Sequence, residues 1–173
     1  MNHELQTMRL SLRPCGKEDV EALYTLWTSE TIRRFLFDDC LISPEQASAF
    51  VNESLTHFFT HGYGLWVVGE RSRGQLVGFA GLVPVADGIP NLLYGISADD
   101  CGRGYATEAG QAVIRYAFDT LKLPRVRADV DVPNTASVSV LQKLGMVCVA
   151  QVMVREKPLL TYELSADLFR RIT

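Results

Sequence analysis

The chain is poor in metal-binding and cross-linking side chains: its 173 residues include three histidines and four cysteines. Cys15, Cys40, Cys101 and Cys148 stand far apart, with no CxxC pair and no histidine at zinc-ligand spacing. That scatter argues against a metal site and a disulfide framework, and it suits a reducing compartment. Long hydrophobic runs are missing too. The longest mostly apolar stretch, LVGFAGLVPVA at 76–86, contains Gly and Pro and falls far short of the roughly 20 residues of a membrane span. The opening MNHELQTMRL lacks a basic segment followed by an apolar one, so no secretory leader is expected and the reading is cytoplasmic. A net charge of −3 leaves no basic footprint for nucleic acid or anionic lipid. Repeats, low-complexity tracts and linker-like stretches are absent as well. With 47% hydrophobic residues, the length suits one domain over 1–173 with a single core.

What is present reads as alternating strands and helices. Leu10 and Leu12 alternate with polar neighbours up to Pro14, as in a strand end. Val20, Leu23 and Trp27 recur at helical spacing behind acidic residues that favour a helix start. Ser43-Pro44-Glu45-Gln46 combines a capping residue, Pro at the first helical position and a capping-box Gln. The spacing then predicts a helix that buries Ala47, Phe50, Val51, Leu55, Phe58 and Phe59 and ends at Gly62. Three runs follow at 65–70, 75–83 and 91–97. Their β-branched and aromatic content and Gly- and Asp-containing gaps predict an antiparallel meander. A helix from Gly104, a strand at 125–132, a short helix from Asn134 to Gly145, and strands at 147–154 and 159–164 complete the order. A strand–helix–strand unit around Gly104 requires a parallel pair with a right-handed crossover. The fold class expected is α/β: a mixed, mostly antiparallel sheet of about seven strands flanked by four helices.

The segment ADDCGRGYATEA at 98–109 carries the chemistry. It leaves a strand, places Gly102 and Gly104 in a turn, and enters a helix. Such a turn exposes backbone N–H groups that no carbonyl satisfies, at the positive end of a helix dipole, and glycine lets an anion approach. A bare GxG also serves as a tight turn. The P-loop pattern fails because Tyr105 and Ala106 follow Gly104 where Lys and Ser/Thr are needed. The dinucleotide fingerprint fails at Thr107, and three meander strands precede the loop. A pyrophosphate cradle of another kind remains open.

The segment resembles the acetyl-CoA signature of the GNAT superfamily of N-acetyltransferases, Gln/Arg-x-x-Gly-x-Gly/Ala. Gly104 and Ala106 match it, while Cys101 stands where Gln or Arg is usual. GRGYATEA is similar to the branch that holds the ribosomal-protein N-terminal acetyltransferases. So is Asn134-Thr-Ala-Ser137 followed by Lys143-Leu144-Gly145-Met146, and the likeness spans almost the whole chain. The resemblance implies a splayed sheet: strands 91–97 and 125–132 part, and the pantetheine arm of acetyl-CoA enters between them. It implies that backbone groups of Ile96 and Ala98 pair with that arm. The loop residues Cys101, Gly102, Arg103, Gly104, Tyr105 and Ala106 hold the pyrophosphate, Asn134 touches the pantetheine, and Ser137 lies near the thiol. It places acceptor recognition in the first two helices and nearby loops, including Trp27, Phe35-Leu36-Phe37, Asp38 and Asp39.

Two proton carriers common in that superfamily are missing, since Asn91 stands where Glu is usual and Leu141 where Tyr is usual. Ser137 and Asn134 are therefore the candidate catalytic residues, with the Ser137 hydroxyl donating to the departing sulfur. Asn134 also suits a plain helix cap, and Ser137 a first-turn residue bonding backward. Deprotonating a lysine side chain at pH 7 costs about 4.6 kcal/mol, against about 1–1.4 for an α-amine. An enzyme without a strong base therefore suits a weakly basic amine. The expected function is acetyl transfer from acetyl-CoA to a primary amine in a ternary complex. The acceptor is a protein or peptide N-terminus or a small-molecule amine, and a homodimer is possible through the C-terminal strands. The alternative is an acyl-CoA sensor without turnover. Cys101, beside a helix N-terminus, is open to a covalent or redox role. Glu108 is expected to offset the helix dipole. His57 and His61 read as a solvated helix end or as part of an acceptor site.

Overall fold

A computed structural model describes residues 3–172. Eight strands and six α-helices follow one another as β1 (Leu5–Gln6), β2 (Leu10–Pro14), α1 (Val20–Thr28), α2 (Glu30–Leu36), α3 (Pro44–His61), β3 (Leu65–Glu70), β4 (Gln75–Val83), β5 (Asn91–Ile96), α4 (Tyr105–Arg115), β6 (Arg125–Asp131), α5 (Thr135–Lys143), β7 (Val147–Val154), β8 (Lys157–Ser165) and α6 (Ala166–Ile172). A π turn, Tyr116–Thr120, prolongs α4. The strands form one sheet in the order β1-β2-β3-β4-β5-β6-β8-β7. The expected class holds, with one strand and two helices more than the sequence suggested. The additions β1, α2 and α6 are all short, and pattern has little length to work on there.

Every neighbouring pair is antiparallel except β5 and β6, which are parallel and share one registered pair, Asn91 with Arg127. Past that point the two strands separate. Two cores pack on opposite faces of the sheet. One joins Leu92, Ile96, Val126, Ala128 and Val130 to Tyr105, Ala109 and Val113 of α4. The other gathers Leu23, Trp27, Val51 and Phe79 under α1 and α3. At β7 all eight residues are exposed, and this strand is one edge of the sheet.

α3 shows where side-chain pattern and structure part. Its start follows the local signals: Gln46 N–H donates to Ser43 Oγ at 3.2 Å and Ser43 N–H to Gln46 Oε1 at 2.8 Å. Gly62 ends it in the left-handed region at φ 76°. The buried stripe is Ala47, Val51, Ser54 and Phe58. Leu55 and Phe59 were expected inside, yet Phe59 is 93% exposed because it lies one residue round the helix from this stripe. Trp66, by contrast, is fully buried, and its indole donates to the His3 carbonyl at 2.6 Å.

Ser54 is a polar residue at a core position, and it is fully employed. Its hydroxyl accepts the Leu65 N–H at 2.7 Å and lies 3.4 Å from the Cys15 thiol, which donates to it. The same contact brings α3 against Gly64, where a Cβ would meet Ser54 and Phe58 atoms at 2.7 Å. Ser54→Ala leaves a buried N–H without its acceptor and is expected to cost about 1–3 kcal/mol. Urea denaturation should read this as a lower midpoint with an unchanged slope.

Candidate functional site

The parting of β5 and β6 opens a cleft of about 690 Å³ through the sheet. Its walls come from both faces: Ala128 and Val130 turn toward the α4 core, while Asp129 and Asp131 alternate to the other side. α2 closes one mouth, with Ile32 packed so closely on β5 that a Cβ at Gly95 would meet Ile32 Cδ1 at 2.7 Å. α5 forms the opposite wall.

At the α4 end lies the glycine loop. Gly102 and Gly104 sit at φ 77° and 79°, a region that side-chain-bearing residues avoid. A Cβ on Gly102 would touch nothing within 4 Å, so conformation and not packing explains that glycine. Gly104 begins α4 without any side-chain cap. The first-turn amides are thus left for an anion, as phosphate cradles require.

The loop is braced from two directions. Asp100 accepts Arg73 at 2.6 Å and Ser97 at 2.9 Å, and these hydrogen bonds, Arg73 first, hold its carboxyl below the usual range despite burial. Arg9 donates to the Arg103 carbonyl at 2.8 Å, stacks 4.8 Å from the Tyr105 ring centre, and pairs with Glu108 at 2.6 Å. Glu108 also accepts Thr7 at 2.6 Å and the Arg9 N–H at 3.0 Å. It therefore does more than offset a dipole: it ties the β1–β2 turn to the base of α4.

Of the residues expected to hold acetyl-CoA, Ile96, Cys101, Gly102, Gly104, Tyr105, Ala106, Asn134 and Ser137 line the cleft. Ala98 and Arg103 do not. Ala98 begins a 3-10 turn whose carbonyl takes the Cys101 N–H, and Arg103 leans to Asp100 at 3.6 Å. The Ser97 N–H bonds to Val77 on β4, so the alternating Ile96 turns its backbone to the gap. The Cys101 thiol donates to the Ile96 carbonyl at 3.7 Å. Asn134 Oδ1 accepts the Ser137 N–H at 3.2 Å, which is a helix cap. The Ser137 side chain lines the cleft beside the Tyr94 phenol.

The acceptor-side expectations divide. Phe35 and Leu36 line the cleft, but Trp27 is core, edge-on to Phe37, Phe50 and Phe79. Asp38 and Asp39 already carry cations, Lys157 at 2.9 Å and Arg33 at 2.8 Å. His57 and His61 lie tilted against each other, away from the cleft. Leu141 lines the wall but is fully buried. Asn91 donates to Asp129 at 3.2 Å, and its Oδ1 is buried without a donor among the described residues.

Among the polar residues of the cleft that escaped the sequence reading are Tyr94, Asp129 and Asp131. Tyr94 spans the gap and donates to the Ser137 carbonyl at 3.1 Å, and burial pushes its phenol up to about 12. Tyr94 thereby fastens α5 to β5. Asp129 accepts Asn91 and, at 2.8 Å, Thr161. The signal for the two aspartates was the alternation Ala-Asp-Val-Asp in β6, acidic on one face and apolar on the other.

This geometry meets its counterpart among known proteins. Residues 9–147 match the Acetyltransferase (GNAT) domain. The chain belongs to that family. As an N-acetyltransferase of this family it is 26% identical over 163 residues to the uncharacterized protein YkkB of Bacillus subtilis, covering 92% of this chain and 94% of that one. Its fold is similar to that of the ribosomal L7/L12 α-N-protein acetyltransferase RimL in complex with coenzyme A, with TM-score 0.78 and 17% identity over 95% of this chain and 99% of the other. It is also similar to that of a spermidine N-acetyltransferase from Vibrio cholerae in complex with CoA and spermine, with TM-score 0.81, 17% identity and the same coverage. Among the described residues no helix is long and apolar enough to cross a membrane.

The Glu108 contacts generate a signed pH dependence. Burial alone would raise this carboxyl, but the hydrogen bonds from Thr7 and Arg9 and the guanidinium charge outweigh it and hold it below its ordinary value. A depressed pKa adds stability above the unfolded value that disappears as pH falls through the folded one. Glu108→Gln should therefore cost about 1–2 kcal/mol at pH 7 and progressively less below pH 4. Thermal unfolding of both proteins across that range checks it.

Proposed function

We propose that the protein transfers the acetyl group of acetyl-CoA directly to a weakly basic primary amine within a ternary complex. One observation carries this reading: a cleft through the sheet has uncapped helix amides at one end and unpaired carboxylate chemistry on the other face. The pyrophosphate would take the amides of Gly102 to Ala106. The nucleotide end would run out past Gly104, Thr107 and Lys143, where the cleft meets a groove of about 880 Å³ along α4. The pantetheine arm would pair with the free edge of β5 at Ile96 and pass Asn134, delivering the thioester beside Ser137. The amine would arrive from the α2 side.

In this arrangement the amine nitrogen attacks the thioester carbon and the sulfur leaves with its electron pair. The Ser137 hydroxyl would donate to that sulfur. An α-amine is the better-matched acceptor on proton cost alone, whether on a protein or peptide N-terminus or on a small molecule. The carboxylates on β6 favour turnover over a sensor without chemistry.

Isothermal titration with acetyl-CoA, with ATP and NAD as controls, tests the cradle. Binding of acetyl-CoA alone is expected, and no binding at millimolar ligand overturns the reading. In CoA-release assays, kcat/KM for a peptide with a free N-terminus should exceed that for an N-blocked peptide bearing one lysine. Ser137→Ala should lower kcat roughly 3–10-fold, the worth of one neutral hydrogen bond, with acetyl-CoA affinity preserved. An unchanged kcat removes Ser137 from the reaction.

A further inference from the structure

The family's usual carboxylate is replaced by Asn91, so the question is where the amine's proton goes. Four carboxylates line the cleft: Glu30, Asp100, Asp129 and Asp131. Asp100 is held by Arg73 and Ser97 on the loop side, remote from an incoming amine. Asp129 already accepts from Asn91 and Thr161. Glu30 is an exposed residue at the first turn of α2, on the rim. Asp131 differs from all three. It is half-buried at the end of β6, on the face from which the amine arrives, and its carboxylate has no hydrogen bond or ion pair among the described residues. Its own carbonyl accepts the Asn134 N–H at 2.8 Å, which fixes it one turn of chain from Asn134 and Ser137.

We propose that Asp131 is the catalytic base, taking the proton that the acceptor ammonium must shed before attack. This rests on the acetyl-CoA reading above. The ammonium passes one proton to the Asp131 carboxylate, and the freed lone pair forms the C–N bond. The C–S bond then breaks, and the leaving thiolate takes up the second proton lost by nitrogen. Asp131 finally returns its proton to solvent, so the products are the amide, CoA thiol and one proton.

The surroundings suit that task. Burial, and then the charge of Asp38 on the α2–α3 loop, raise the Asp131 carboxyl above the ordinary carboxylate range. Lys157 at the start of β8 opposes them, but its ammonium is shared with Asp38 at 2.9 Å. Arg155 in the β7–β8 turn also faces Asp38, at 4.0 Å, and Asp129 shares the Asp131 face of β6. Glu30 and Arg34 of α2 are the other charged groups lining that mouth. A base must be ionised to work, so activity falls as pH drops through the raised Asp131 pKa.

The test compares the wild-type protein with Asp131→Asn, using a tetrapeptide with a free N-terminal serine as acceptor. Acetyl-CoA affinity, read by titration calorimetry, should stay within about twofold. If neither protein binds acetyl-CoA, the cleft reading has failed, not the assignment of the base. At pH 7.5 kcat/KM should fall at least about 100-fold, the lower end of what a positioned base contributes. Wild-type kcat/KM should fall by one proton as pH drops through the Asp131 pKa, whereas the variant, which needs the free amine, should already fall by one proton through the pKa of the acceptor amine. Carboxyl carbon NMR should show Asp131 titrating above about 3.9, the free-residue value, and this reading needs no acceptor. Because the ionised carboxylate is penalised in the fold, the variant should also melt higher, which a purely structural aspartate would not allow. A fall in kcat/KM under tenfold, or a carboxyl that titrates at or below about 3.9, overturns the proposal.

Discussion

The parallel pair β5–β6 is where the sheet gives way, and most of the molecule is arranged around that failure. A single registered pair, Asn91 with Arg127, holds the two strands at one end. Arg127 is anchored there by Glu163 at 3.0 Å and by Asp87, while its N–H bonds to the Pro90 carbonyl. Beyond it the backbone of β5 faces open space, which a sheet tolerates only where a ligand or solvent can satisfy it. The helix crossover requires strands that begin together. The glycine loop and the α5 cap then take the chain over the gap from either side, so the opening is set by covalent connection as much as by packing.

Three sets of contacts keep that opening in shape. On one side Arg9, Glu108 and Arg73 bind the loop to strands far from it in sequence. On the other side Tyr94 reaches across to the first turn of α5. Lys157 and Asp38 join the start of β8 to the loop after α2. Each is a polar contact between elements distant in sequence, and it fixes position rather than burying area.

What could be read from sequence follows the range over which each cause acts. Ser43 and Gln46 lie three residues apart, and their reciprocal bonds need no tertiary context. The two glycines of the loop announce a backbone conformation that few other residues adopt. The antiparallel meander β3–β5 and the one parallel pair followed from turn composition and from the single crossover. Contacts such as Arg9 with Glu108, 99 residues apart, have no local signature, and a phenol inside a strand reads as ordinary β-propensity. Phe59 misled because a helix face is about one residue wide at its margin, where apolar spacing alone leaves the boundary undetermined. Asp129 and Asp131 were visible as alternation. Which face they lie on became meaningful only once the sheet was known to part beside them.

The outer edge, β7, has a different bearing on the molecule. VCVAQVMV contains neither a charge nor a proline, and every residue of it is exposed. Monomeric sheets usually place lysine, proline or a covering element at such an edge. Here the last row of amides and carbonyls stands uncovered beside apolar side chains, and it recognises backbone and not side-chain identity. An extended segment of almost any composition satisfies it equally well. An affinity tag or a fusion linker of this protein is therefore a candidate ninth strand, and the choice of terminus for such an addition is a structural decision.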